Sequence, residues 1–255
     1  MLQQPFAIGN SFLHRLDPRM RIAVATVYSV IVALSQHFPT LISAVGVSFV
    51  LIVLARLRPW EFVKRIIIVN SFIIFLWLVL PLTFQGQVAF TIGPIRVYRP
   101  GIMMSAQITL KSNAILLVLM ALIATMAFST LGSALSRLQV PDKIVYLLLM
   151  TYRYVFVIEQ EYQRLIRAAQ IRGFRPGTNL HTYKTYAYIV GMLFVRSALR
   201  ADRVYKAMLC RGFKRKFYCL HEFSTCKKER LFVAVMGGAM IVLICLEWLS
   251  AAALY

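Results

Sequence analysis

Apolar residues in this chain gather into long runs instead of alternating with polar ones, and five runs approach the length a bilayer demands. A hydrocarbon core needs about 20 mostly apolar helical residues, with roughly 17–25 tolerated. Residues 22–35, extendable to Phe38, predict a first spanning helix and residues 40–55 a second, with Pro39 punctuating a tight turn between them. Residues 66–84 and 105–128 predict a third and a fourth, separated by a loop rich in glycine and proline (Gly86, Gly93, Pro94, Pro100, Gly101). Residues 231–251 predict the fifth. A shorter apolar stretch, 144–158, is interrupted by Arg153 and reads as a helix lying in or under the membrane, not as a sixth crossing. Before the first run, Asp17-Pro18 predicts a helix start, the carboxylate capping and the proline taking the first turn.

Composition agrees with the pattern: 60% of the 255 residues are hydrophobic and 15% charged, against about 45–50% and about 25% in a soluble domain. The first twenty residues lack the short apolar core of a signal peptide, so the first run is expected to stay as a helix. A net charge of +20 would suggest nucleic acid in a soluble chain. In a membrane protein it reads as topology, because basic residues gather on the cytoplasmic side and meet anionic lipid there. Arg15, Arg19 and Arg21, then Arg56, Arg58, Lys64 and Arg65, then the basic segment 129–230 all fall on one side of a five-span chain. The N-terminus is therefore expected in the cytoplasm and the C-terminus outside, with Arg96 and Arg99 as the outward exception. Segment 129–230 holds 19 of the 29 basic residues and 6 of the 9 acidic ones.

The chemistry of sites is sparse. Polar groups inside the spans are limited to Asn70, Lys111 and Asn113, with Glu247 near an end, and these suggest snorkelling and interhelical hydrogen bonds more than a substrate path. Cys210, Cys219, Cys226 and Cys245 form no CxxC pair, and Cys219, His221 and Cys226 match no zinc spacing. His14, His37, His181 and His221 are scattered, and Glu159 and Glu161 lie two apart and so cannot converge on a helix. No GxxxxGK[ST] loop is present to cradle a nucleotide. Neither a cofactor nor a metal site is expected in the chain itself.

One motif recurs. Residues 164–174 read RLIRAAQIRGF and residues 203–213 read RVYKAMLCRGF, sharing Arg164, Ala168, Arg172, Gly173 and Phe174 with Arg203, Ala207, Arg211, Gly212 and Phe213. Positions i, i+4 and i+8 share a helical stripe, so each copy sets two arginines on one face with a small alanine between them. Glycine then predicts the helix end, holding Arg172 and Arg211 in a last turn. An arginine complementing a helix dipole explains one such copy. The recurrence of spacing, alanine and phenylalanine on a second helix points to docking, since a guanidinium fork pairs with carboxylates and a helix end with apolar flanks fits a groove. Two copies suit a dimeric partner. A self-sufficient channel or secondary transporter is the alternative, and would leave the duplicated motif without a role.

The two Arg-Gly-Phe ends, the segment Thr151-Tyr152-Arg153-Tyr154, the pair Arg196-Ser197 and the segment Leu16-Asp17-Pro18-Arg19 together resemble the transmembrane T component of energy-coupling factor transporters, most closely its cobalt and nickel branch, CbiQ. The resemblance runs over most of the chain. It implies an all-α integral membrane protein of about five transmembrane helices plus a cytoplasmic region of long coupling helices. The division implied is a membrane bundle over 1–128, a basic coupling region over 129–230 and a C-terminal span over 231–255. It implies a non-catalytic subunit of an ATP-driven importer in the bacterial inner membrane, carrying cobalt or nickel. Its partners would be two cytoplasmic ABC-type ATPases, a substrate-binding S subunit (CbiM-like) and a small accessory membrane subunit, with no nucleic acid. Ala168, Arg172, Gly173 and Phe174, with Ala207, Arg211, Gly212 and Phe213, would dock the ATPases. The family favours Ala-Arg-Gly, and Ile171 and Cys210 stand where it has alanine.

Overall fold

The computed structural model describes residues 16–55, 59–83, 88–92, 95–213 and 227–252, which form two compact units. One unit comprises 16–127 with 227–252 and the other 128–213.

The first unit is a helical bundle. Helix α1 (Pro18–Leu34) begins as the sequence predicts, with Asp17 accepting the Arg19 N–H at 3.0 Å and Pro18 in the first turn. Its 17 residues rise about 25 Å, short of a comfortable crossing. Among the described residues, four other helices are long and apolar enough to cross a membrane: α2 (Phe38–Ala55), α3 (Pro59–Thr83), α4 (Arg99–Leu122) and α8 (Lys227–Ala252). The chain is an all-α integral membrane protein, with α1 packed among these spans.

Several boundaries differ from the sequence reading. Pro39 sits in the first turn of α2 and not in the turn before it, since a proline there sacrifices no helical hydrogen bond. Pro100 and Gly101 likewise belong to the start of α4. The loop expected between the third and fourth spans contains an antiparallel hairpin, β1 (Val88–Ile92) paired with β2 (Ile95–Tyr98), in keeping with the β-branched and aromatic residues of both segments. Gly86, Gly93 and Pro94 lie outside the described residues. The fourth span ends at Leu122 instead of running to Phe128, and the chain turns before the next helix.

Small residues let the bundle close. Ala25, Ala44, Ser48, Ala114 and Ala121 are buried where α1, α2 and α4 meet. Tyr28 donates its hydroxyl to the Ala44 carbonyl at 2.6 Å, and Ser48 donates to Ala114 at 3.0 Å, tying the three helices with polar contacts hidden from lipid. A β-carbon at Gly101 would lie 2.7 Å from the Leu80 carbonyl oxygen, so only glycine admits this crossing of α3 and α4.

The second unit contains α5 (Phe128–Arg137), α6 (Asp142–Ile171) and α7 (Leu180–Cys210). Phe128 of α5 stacks on Tyr152 of α6 at 4.4 Å, and Gly132 lies beneath Leu149. The apolar stretch 144–158 is the first half of α6, continuous with the charged half that follows, and is not among the four helices apolar enough to cross.

Candidate docking site

Both copies of the repeated motif end their helices in the same way. Beyond α6, the Gly173 N–H reaches the Gln170 carbonyl at 3.0 Å and the Phe174 N–H reaches Ala169 at 3.1 Å, with Gly173 at φ +85°. Beyond α7, the Gly212 N–H reaches Leu209 at 2.9 Å and the Phe213 N–H reaches Met208 at 3.1 Å, with Gly212 at φ +75°. These are paired Schellman motifs, in which glycine takes the left-handed position so that the last carbonyls are satisfied. Arg172 and Arg211 are the C-cap residues, one position beyond the last helical turn in which the sequence reading placed them. At the cap the side chain leaves the helix as its barrel ends, which frees the guanidinium from its own helix.

Arg172 and Arg211 are exposed, and neither forms an ion pair among the described residues. Ala168 and Ala207 are exposed behind them, and Gly173 and Gly212 face open space. Phe174 and Phe213 do something else. Each is half-buried, Phe174 edge-on to Tyr186 at 5.7 Å and Phe213 against Tyr146 at 5.5 Å. The apolar group most open beside an arginine is Ile171, 87% exposed, one of the two residues that depart from the family's alanine.

The phenylalanine contacts fix the geometry. Phe174, at the end of α6, packs near the start of α7, while Phe213, at the end of α7, packs at the start of α6. The two helices are therefore antiparallel, and each is about 45 Å long. The two arginine tips point out of opposite ends of the pair.

Between the ends, Glu161 holds the helices together. Its carboxylate is 2.5 Å from Arg196 of α7 and 3.6 Å from both Arg200 and Arg164. The Arg196 hydrogen bond is the largest influence on Glu161 and, with the charges of Arg196, Arg164 and Arg200, holds its carboxyl below the usual glutamate range against the opposing effect of desolvation. No sequence pattern marks Glu161 for this role, because its partner lies 35 residues away on another helix.

The polar residues of the spans bond to one another. Asn113 donates to Asn70 at 3.2 Å, as the sequence suggested. Lys111 does not snorkel: it lies halfway along α4 and donates to the Ala33 carbonyl at 2.9 Å. Glu247 accepts the Ser35 hydroxyl at 2.6 Å and the Gln36 N–H at 2.7 Å, and Gln107 donates to Gln36 at 2.8 Å. Together they satisfy the turn between α1 and α2, where bare backbone would be costly in lipid. Among the described residues no cluster of His, Cys, Asp or Glu could hold a metal ion. Cys219, His221 and Cys226 lie outside them, as does His14.

A bundle of apolar crossings with a basic helical pair in a second unit defines a multi-pass membrane protein that carries an exposed, duplicated motif. The CbiQ family, described as "Cobalt transport protein", matches residues 9–218. The chain belongs to that family, and it is a CbiQ-like T component of the energy-coupling factor type. It is 27% identical to the energy-coupling factor transporter transmembrane protein EcfT of Leuconostoc gelidum, over 96% of each chain. The proteins of the same name from Streptococcus equi and Bacillus subtilis are 28% and 25% identical, the first over 81% of each chain and the second over 84% of this chain and 85% of its own.

Proposed function

We propose that the chain is the coupling subunit of an ATP-driven importer, in which Arg172 and Arg211 seat in acidic grooves on two cytoplasmic ATPases. Motion of those ATPases then passes through α6 and α7 to a separate substrate-binding membrane subunit. The observation that carries this reading is the pair of matching arginine caps, both exposed, at opposite ends of one antiparallel pair. Two identical plugs facing apart fit two like partners better than one. The proposed docking set is Ala168, Arg172, Gly173 and Phe174 with Ala207, Arg211, Gly212 and Phe213, the phenylalanines acting by fixing each tip and not by contact. Family membership favours cobalt or nickel as cargo, selected by the separate CbiM-like subunit. In this reading the chain itself is non-catalytic, and the basic flanks support an N-terminus and an α6–α7 pair on the cytoplasmic side of a bacterial inner membrane.

A self-sufficient channel or secondary transporter needs polar groups left over to line a path. Asn70, Lys111, Asn113 and Glu247 instead bond to one another's helices and to the α1–α2 turn. The test is the double substitution Arg172→Glu and Arg211→Glu. It is expected to abolish co-purification with the ATPases while membrane insertion stays normal; retained assembly with full transport would overturn the docking role. Purified alone, the chain is expected to hydrolyse no ATP.

A further inference from the structure

A groove of about 370 Å³ runs between α6 and α7, within the range of about 300–1,000 Å³ typical of small-ligand sites. It runs from Tyr146 at one end to the Glu161–Arg196 ion pair at the other. From Tyr146 to Glu161 the helix rises about 22 Å, enough for an acyl chain that fills one leaflet, about 15 Å of hydrocarbon. Its walls are apolar along most of that length, including Met150, Val155, Ile158, Val204 and Met208.

The charges sit at one end only. Three guanidiniums, of Arg164, Arg196 and Arg200, surround the single carboxylate of Glu161, leaving two positive charges in excess. Arg200 stands 3.6 Å from that carboxylate, too far for a hydrogen bond, so its donors are not used up there. Arg196 and Arg200 also line the groove, with side chains 48% and 41% exposed. An oily channel ending in unspent arginines matches an amphiphile with a negative head. For a chain with other helices apolar enough to anchor it in a bilayer, the amphiphile of that chemistry at hand is a phospholipid.

We propose that the α6–α7 groove binds one anionic phospholipid, an acyl chain lying along Val155, Ile158 and Val204 and the phosphate against Arg196 and Arg200. The site is separate from the docking tips, so ATPase co-purification reads one proposal and lipid retention the other.

The test is native mass spectrometry of the full chain, washed in mild detergent and then titrated with phosphatidylglycerol or phosphatidylcholine. One phosphatidylglycerol is expected to be retained about thirtyfold more tightly than phosphatidylcholine, the preference that two cationic contacts confer. Arg196→Gln with Arg200→Gln should erase that preference. Ala201→Phe, which fills the groove while leaving the Glu161 ion pairs intact, should remove retention of both lipids; it also decides the matter if the arginine variant does not fold. Equal retention of the two lipids, full retention in Ala201→Phe, or displacement of phosphatidylglycerol by inorganic phosphate alone would overturn the proposal. So would cross-linking of Ala201→Cys to another membrane protein in native membranes with no lipid retained.

Discussion

Arg21 is 2% exposed in the bundle, and its guanidinium donates to the Leu122 carbonyl at 2.6 Å and to the Thr125 hydroxyl. Leu122 ends α4, so the charge lies against the negative end of that helix dipole. Arg21→Gln is expected to lower stability by about 1–3 kcal/mol, the cost of leaving a buried polar group unpaired, seen as a lower melting temperature in detergent. The glycines at the two tips act through the backbone, because nothing lies within 4 Å of an added β-carbon. Gly173→Val or Gly212→Val forces a branched residue into left-handed φ, at about 1–2 kcal/mol, and should fray the tip and weaken ATPase co-purification. Gly→Asn at either position should largely preserve it, since asparagine tolerates that conformation. These residues were legible from spacing alone, because a helix end is a local event. Arg21 was not: its partners are more than 100 positions away.

Membrane-spanning helices announce themselves by the length of their apolar runs, and each of the five spans read from the sequence corresponds to a helix. What shifted were ends decided by tertiary partners: α4 stops at Leu122, where Arg21 donates to its last carbonyl, and α1 stops at Leu34, where Lys111, Gln107 and Glu247 take over the backbone. The β1–β2 hairpin was obscured by its flanking glycines and prolines, which mark turns more loudly than nine strand residues mark pairing. The union of α6 with α7 depends on Glu161, whose lowered pKa sets a direction for its pH dependence. A carboxyl depressed in the folded state adds stability above its unfolded value, near about 4.3, and loses it as pH falls through the lower native value. Amide protection along α6 and α7, measured relative to the intrinsic exchange rate at each pH, should therefore fall in acid below that range. Glu161→Gln should show the reduced protection already at neutral pH and no further loss in acid.

At the scale of the chain, charge and hydropathy together made the membrane class plain, and the repeated motif indicated two equivalent attachments. Their placement could not be read from spacing, because 39 residues between copies fit a parallel, crossed or antiparallel pair equally well. The deciding signal was aromatic. Phe174 and Phe213, read from the sequence as part of the surface offered to a partner, turn inward onto the opposite helix.

That inward turn has a mechanical consequence. Each outer end is bolted to the root of its neighbour, so neither rod can swing without levering the other. Under the proposed docking, a stroke delivered at a single arginine becomes a tilt of the whole truss, so that two motors would be obliged to push in step.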